Sequence, residues 1–163
     1  MSDTLCTLPL SEIDLSDQRF RISLVPADPE AAVAALQFAG QTFLPVVALS
    51  GLNENETGSH GRYTAVCGFS QIHALELAGY KQAQFILCDP AHSYKDHLIR
   101  SVVTLSARRP LSQAEVIRAA GLLSEVMEPG EIAQSAPVFF SRKMNQPYLN
   151  QLIDLFHMGE RLI

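Results

Sequence analysis

The segment YTAVCGFSQIHALELAGY places Gly68 between a β-branched apolar run and a run with helical spacing. A glycine between a strand and a helix lets backbone N–H groups approach an anion at the helix N-terminus. Neutral hydrogen-bonding side chains follow it, Ser70 and Gln71, with His73 one turn on. Cationic groups stand elsewhere. DQRFRIS carries Arg19 and Arg21 two residues apart, so that in an extended segment both point to one side. ARRPLSQAE carries Arg108, and SRKMNQPYLNQ holds Arg142, Lys143, Asn145, Gln146, Asn150 and Gln151. Arginine and lysine suit phosphates and guanine, while asparagine and glutamine suit adenine. The chemistry these residues offer is recognition of anions and bases. His73 has no activated nucleophile beside it. His73, Glu76 and Asp89 form no closely spaced carboxylate cluster of the kind that metal-dependent phosphoryl chemistry needs.

Each of these residues also has a plainer use. Gly68 is what any strand-to-helix turn requires. Arg19 and Arg21 can pair with Asp14 and Asp17 on the surface, an arrangement that contributes little. Cys67 reads as a core residue. Cys6, Cys67 and Cys88 are an odd set without a CxxC pair, which fits a reduced compartment and neither a disulfide frame nor a zinc site. His92 and His97 are five apart with no third ligand in view, so no metal is expected. The formal net charge is -5, which argues against tight DNA binding by the surface as a whole and leaves room for a local patch.

With 163 residues, 47% apolar and 18% charged, the chain suits one domain, or a compact domain with a helical appendage. No apolar run approaches the roughly 18 residues that span a bilayer. MSDTLCTLPLSEID has an early acid and no basic stretch, so it is no secretory signal, and a cytoplasmic protein is expected.

The elements that must position these residues follow from pattern. LCTLPLSEIDL reads as a first strand or extended lead-in, and Pro26 and Pro29 punctuate a loop. Asp28 is a good N-cap before the Ala-rich helix EAAVAALQFA, which carries Val33, Leu36 and Phe38 and closes at Gly40. FLPVVAL and YTAVCGF form a hairpin across the exposed loop SGLNENETGSHGR. SQIHALELAGY is a helix with Ile72, Leu75 and Leu77 inward, and QAQFILCD is a further strand. Beyond Ser93 only helices are expected, three or four of them. SYKDHLIRSVVTLSA has Leu98, Val102 and Leu105 at helical spacing. Ser112 and Glu115 make a capping box for a helix running to a break at Pro129-Gly130. A short helix around GEIAQSA ends at Pro137, APVFFSRKMNQP reads as a turn region, and PYLNQLIDLFHM closes the chain with Leu149, Leu152, Ile153 and Phe156 inward. The chain stops at GERLI without a polar tail, as a piece of a longer protein would.

An arginine before an Ala-rich helix, a PVV strand, a hairpin and a strand–Gly–helix turn together resemble the ParB-like family. The match runs in order from about Leu8 to the end. Arg21 looks like the arginine of the family's first box, CGFSQIHALELAGY like its second, and ARRPLSQAE like its third, with Arg108 in the basic position. The resemblance implies an α+β fold, a small mixed sheet with flanking helices of the ParB/sulfiredoxin type over residues 1–90. An all-helical, helix-turn-helix-like segment over 91–163 would follow, with its recognition helix beginning near Asn145. It also implies a homodimer, DNA as partner, and CTP with magnesium as ligand. The nucleotide-binding positions would be Arg21, Gly68, Ser70, Gln71, His73 and Arg108. The DNA-binding positions would be Arg142, Lys143, Asn145, Gln146 and Asn150. Two departures stand out. Where the family's second box carries acidic and paired arginine side chains, this chain has Phe69, Ser70 and Gln71, and losing two charge-assisted contacts to a triphosphate costs several kcal/mol. Where the third box carries a Glu-Asn pair, this chain has Thr104 and Leu105. The related sulfiredoxin fold places a catalytic cysteine where Phe69 stands, so that chemistry is not supported.

The leading expectation is a DNA-associated, ParB-like binding protein of the partition or transcription-regulation type, gated by a nucleotide. A ParB-like nuclease or small-molecule phosphotransferase is the enzymatic alternative, and a ligand-free scaffold of the same fold is the third.

Overall fold

A computed structural model describes residues 2–23, 28–50 and 62–161, in two units: Met1–Arg21 with Val25–Ser93, and Ile22–Leu24 with Tyr94–Ile163. The first unit runs β1 (Thr4–Pro9), a 3-10 turn (Leu10–Glu12), β2 (Ile13–Asp14), α1 (Pro29–Ala39), β3 (Val46–Leu49), β4 (Tyr63–Cys67), α2 (Phe69–Leu77) and β5 (Gln82–Leu87). The five strands form one mixed sheet in the order β1-β5-β3-β4-β2. β1 pairs antiparallel with β5, β5 parallel with β3, β3 antiparallel with β4, and β4 parallel with β2.

The expected single opening strand is therefore two strands on opposite edges of the sheet. Pro9 has no N–H to continue a ladder, and the 3-10 turn at Leu10–Glu12 redirects the chain across to the far edge. The hairpin of β3 and β4 is present, with an irregularity between Val46 and Val47 just after Pro45. Its connection over 51–61 lies outside the described residues, as does Pro26.

Val47, Ala65, Phe85, Ile72, Ala74 and Leu75 are fully buried and form the heart of this unit's core with Leu36 of α1. Two apolar residues go the other way: Leu77 is 54% exposed and Phe38 is 95% exposed. The inward face of α2 is instead Ile72, Ala74 and Leu75, because the helical period of about 3.6 residues puts Leu77 on the side of the helix opposite Leu75.

The second unit has five helices among the described residues, not three or four: α3 (Tyr94–Arg108), α4 (Gln113–Ser124), α5 (Pro129–Gln134), α6 (Ala136–Phe140) and α7 (Gln146–Arg161). Pro129 and Pro137 are starts rather than stops, each in the first turn of a helix, where a missing N–H costs nothing. The segment read as a turn region thus contains α6, whose Phe139 and Phe140 are buried. Leu149, Leu152, Ile153 and Phe156 are all buried, as the spacing of α7 predicts, while Leu105 of α3 is only half-buried. α4 and α7 meet closely at Gly121, where any Cβ would fall onto the Phe156 ring. No helix among the described residues is long and apolar enough to cross a membrane.

Candidate functional site

β4 delivers the chain to Gly68, which adopts a left-handed conformation, φ 86° and ψ 33°, and starts α2. A side chain is excluded there twice over. The φ value is disfavoured for L-residues, and a Cβ would stand 3.0 Å from Pro45 Cβ and 3.2 Å from Pro45 Cα. With glycine as N-cap, no side chain caps α2, so its leading N–H groups at Phe69, Ser70 and Gln71 are without intrahelical acceptors. α1 begins differently. Asp28 occupies its N-cap and accepts a hydrogen bond from Glu30 N at 3.0 Å, with Pro29 at the first helical position.

The starts of these two helices border one cavity of about 600 Å³, lined by Leu15, Arg21, Asp28, Pro29, Ala32, Phe69, Ser70, Gln71 and His73. Four residues that the sequence nominates for nucleotide binding, Arg21, Ser70, Gln71 and His73, are thereby brought together. Gly68 shapes the turn on which three of them ride. Arg108 belongs to the second unit, exposed in the last turn of α3.

Arg19 and Arg21 do not share a side. A turn at Arg19 and Phe20, closed by the Arg21 N–H donating to Gln18 O at 3.1 Å, replaces the expected extended segment. Arg19 folds back on Asp17, with Nη2 2.6 Å from Oδ2 and Nε 3.0 Å from Oδ1. The Thr64 hydroxyl donates to the same carboxylate at 3.1 Å from β4. Burial pushes the Asp17 carboxyl up, but the hydrogen bonds and charge of Arg19, helped by Thr64, more than offset this and hold it below its ordinary value. This Asp17–Arg19–Thr64 knot fastens the segment before Arg21 to the sheet. Arg21 itself lies over the Phe69 ring, 5.8 Å from its centroid, and donates to Gln18 Oε1 at 3.4 Å.

The enzymatic candidates are dispersed in their uses. Glu76 lines a separate, shallow depression with Lys81 and Tyr80. Asp89 is buried and accepts from the Ala91 N–H at 2.9 Å, stabilising a turn. Among the described residues no group of three or more histidines, cysteines or carboxylates is placed to hold a metal ion.

In the second unit, the turn Ser141–Asn145 leads into α7 with Arg142, Lys143, Gln146 and Asn150 all exposed. Arg142 stacks on Tyr148, 5.7 Å from the ring centroid. Asn145 is exposed too, but its side-chain oxygen accepts from Tyr148 N at 2.8 Å and caps α7. α4 carries the expected capping box: Ser112 Oγ accepts from Glu115 N at 3.2 Å, and Glu115 Oε1 accepts from Ser112 N at 2.8 Å. Arg109 clamps the same carboxylate through both oxygens, at 2.8 and 2.7 Å. With that guanidinium and the Ser112 and Ser23 groups against it, Glu115 is held down at about 2.

Sequence reasoning missed the cavity's other walls. Asp28 and Pro29 were legible only as a helix start, Ala32 only as part of that helix, Leu15 only as part of the opening strand, and Phe69 only as a second-box position without charge. Their convergence depends on the two helix starts lying side by side, which spacing along the chain does not encode.

No protein-family model and no curated protein sequence matches the chain. Solved structures do. A Pnob8-like ParB-N domain superposes with a TM-score of 0.50 at 12% identity, over 83% of this chain and 48% of that one. The C-terminally truncated chromosome-partitioning protein ParB from Caulobacter crescentus, complexed with CTP-gamma-S, superposes with a TM-score of 0.52 at 16% identity, over 94% of this chain and 79% of that one. The present chain thus spans about half the length of the first. These superpositions give the chain the fold of a ParB-like N-terminal domain.

Proposed function

We propose that this chain is a DNA-associated binding protein of the ParB type, acting as a homodimer in the cytoplasm, whose first unit takes a nucleotide at the head of α2. The observation that carries the reading is the cavity that gathers Arg21, Ser70, Gln71 and His73 beside a glycine-started helix. Arg21 would hold a phosphoryl group by charge-assisted hydrogen bonds, and the N–H groups of Phe69, Ser70 and Gln71 would complete its coordination. A protein of the same fold, Caulobacter ParB, has been solved with CTP-gamma-S, which supports a nucleotide as the ligand class.

DNA falls to the second unit. Residues 94–163 hold eight of the twelve lysines and arginines but seven of the seventeen acids, so the acidic balance lies in the first 93 residues. α7 would enter the major groove as a recognition helix, with Arg142 and Lys143 on phosphates. Because Asn145 is engaged as a cap, Gln146 and Asn150 are the residues left to read base edges. Calorimetric titration with CTP and ATP, with and without magnesium, and with the corresponding monophosphates tests the nucleotide reading. Heat of binding that disappears in Arg21→Ala supports it, and silence with every nucleotide refutes it.

A further inference from the structure

We infer that the cavity at the head of α2 selects a small ligand with a single phosphoryl group and a flat apolar body, a nucleoside monophosphate, over the corresponding triphosphate. This rests on reading the cavity as the chain's nucleotide site.

The charge of the lining decides it. Among the described lining residues there is one permanent cation, Arg21, and one carboxylate, Asp28, while Ser70 and Gln71 are neutral donors. One guanidinium matches one phosphoryl group, through two parallel N–H···O bonds. Each further phosphate adds negative charge for which these residues supply no second cation, and it adds it beside a carboxylate. Asp28 cannot simply swing away, because it accepts from Glu30 N at 3.0 Å and caps α1. A polyphosphate therefore gains little here beyond its first group and suffers repulsion from Asp28. Like-charge opposition of this sort is how a site rejects a competitor that shares the preferred ligand's body.

The remaining walls suit that body. Leu15, Pro29, Ala32 and Phe69 present an apolar surface, and a volume of about 600 Å³ holds a ligand of nucleotide size. Arg21 lies over the Phe69 ring, 5.8 Å from its centroid, which supports the guanidinium from one face. The polar end of the ligand would thus meet Arg21 and the start of α2, and the base would rest on the apolar wall.

The test is competition binding to the full chain with the four nucleoside monophosphates, their triphosphates with and without magnesium, and inorganic phosphate alone. At least one monophosphate should bind about tenfold more tightly than its triphosphate, and Arg21→Ala should weaken it by about tenfold or more. Inorganic phosphate should bind about tenfold more weakly than that monophosphate, since it lacks the body. Asp28→Asn keeps an effective cap and removes the charge, so it should narrow the gap by raising triphosphate affinity. Arg21-dependent binding that is tighter for a triphosphate overturns the ligand class and leaves the nucleotide reading intact. Monophosphate binding indifferent to Arg21→Ala, with the variant's circular dichroism unchanged, overturns the placement. Failure of every probe to bind overturns the nucleotide reading itself and the inference with it.

Discussion

Glu115→Gln isolates the contribution of the clamp at the start of α4. Glutamine keeps the capping-box geometry, since its oxygen can still accept from Ser112 N, but it gives up the bidentate charge pair with Arg109. The folded carboxyl sits at about 2 against an ordinary 4.5. At 1.36 kcal/mol for each unit, that depression corresponds to about 3 kcal/mol of stability at neutral pH. Arg109 is half-exposed, and solvent screening at that end brings the expected loss to about 2 kcal/mol. The sign follows from the depression: the stabilisation is fully present above 4.5 and is lost as pH falls from there toward 2. About three fifths of it is gone by pH 3. Urea denaturation followed by far-ultraviolet circular dichroism should therefore show the variant well below the parent at pH 7, with the gap cut by more than half at pH 3. A difference that stays constant from pH 7 to pH 3, or one below about 0.5 kcal/mol at pH 7, would refute the assignment of this stability to the carboxylate charge.

Gly68→Ala should destabilise the chain by at least about 2 kcal/mol, from the left-handed backbone and the close approach to Pro45, and should abolish nucleotide binding; urea midpoints and titration check the two halves. If α7 reads DNA, the double change Arg142→Ala with Lys143→Ala should weaken binding evenly across sequences and flatten the slope of log affinity against log salt by about two. Gel shifts from about 50 mM salt upward measure it, and binding is expected to be poor at physiological salt given the net charge of -5.

Much of this architecture was legible in the chain because local signals agree with the final packing. Asp28-Pro29 and Ser112-x-x-Glu115 start helices by side-chain chemistry that acts within a few residues, and both caps form as their spacing predicts. The apolar spacing of α7 likewise gives its buried face. Where signals are ambiguous the reading failed in a consistent way. Proline at 129 and 137 reads as a stop or as a first-turn residue, and only the buried Phe139 and Phe140 settle that α6 is helical. Gly121 carries no sequence mark of the Phe156 ring it admits, because that contact joins residues 35 apart. The site divides along the same line. Gly68, Ser70, Gln71 and His73 ride on one turn and could be found together, whereas Leu15, Asp28, Pro29 and Ala32 reach the cavity from other elements. The Arg19–Asp17 pair was foreseeable, but its anchorage to Thr64, 47 residues from Asp17, was not.

The most direct test of the account is backbone amide mapping by heteronuclear NMR during titration with the tightest-binding nucleotide. If the start of α2 holds the phosphoryl group, the largest shifts should fall on the N–H groups of Phe69, Ser70 and Gln71 and on the Arg21 Nε–H, and in Arg21→Ala the backbone shifts should need about tenfold more ligand or higher to appear. Shifts centred on another part of the chain, or none at saturating ligand, would contradict it.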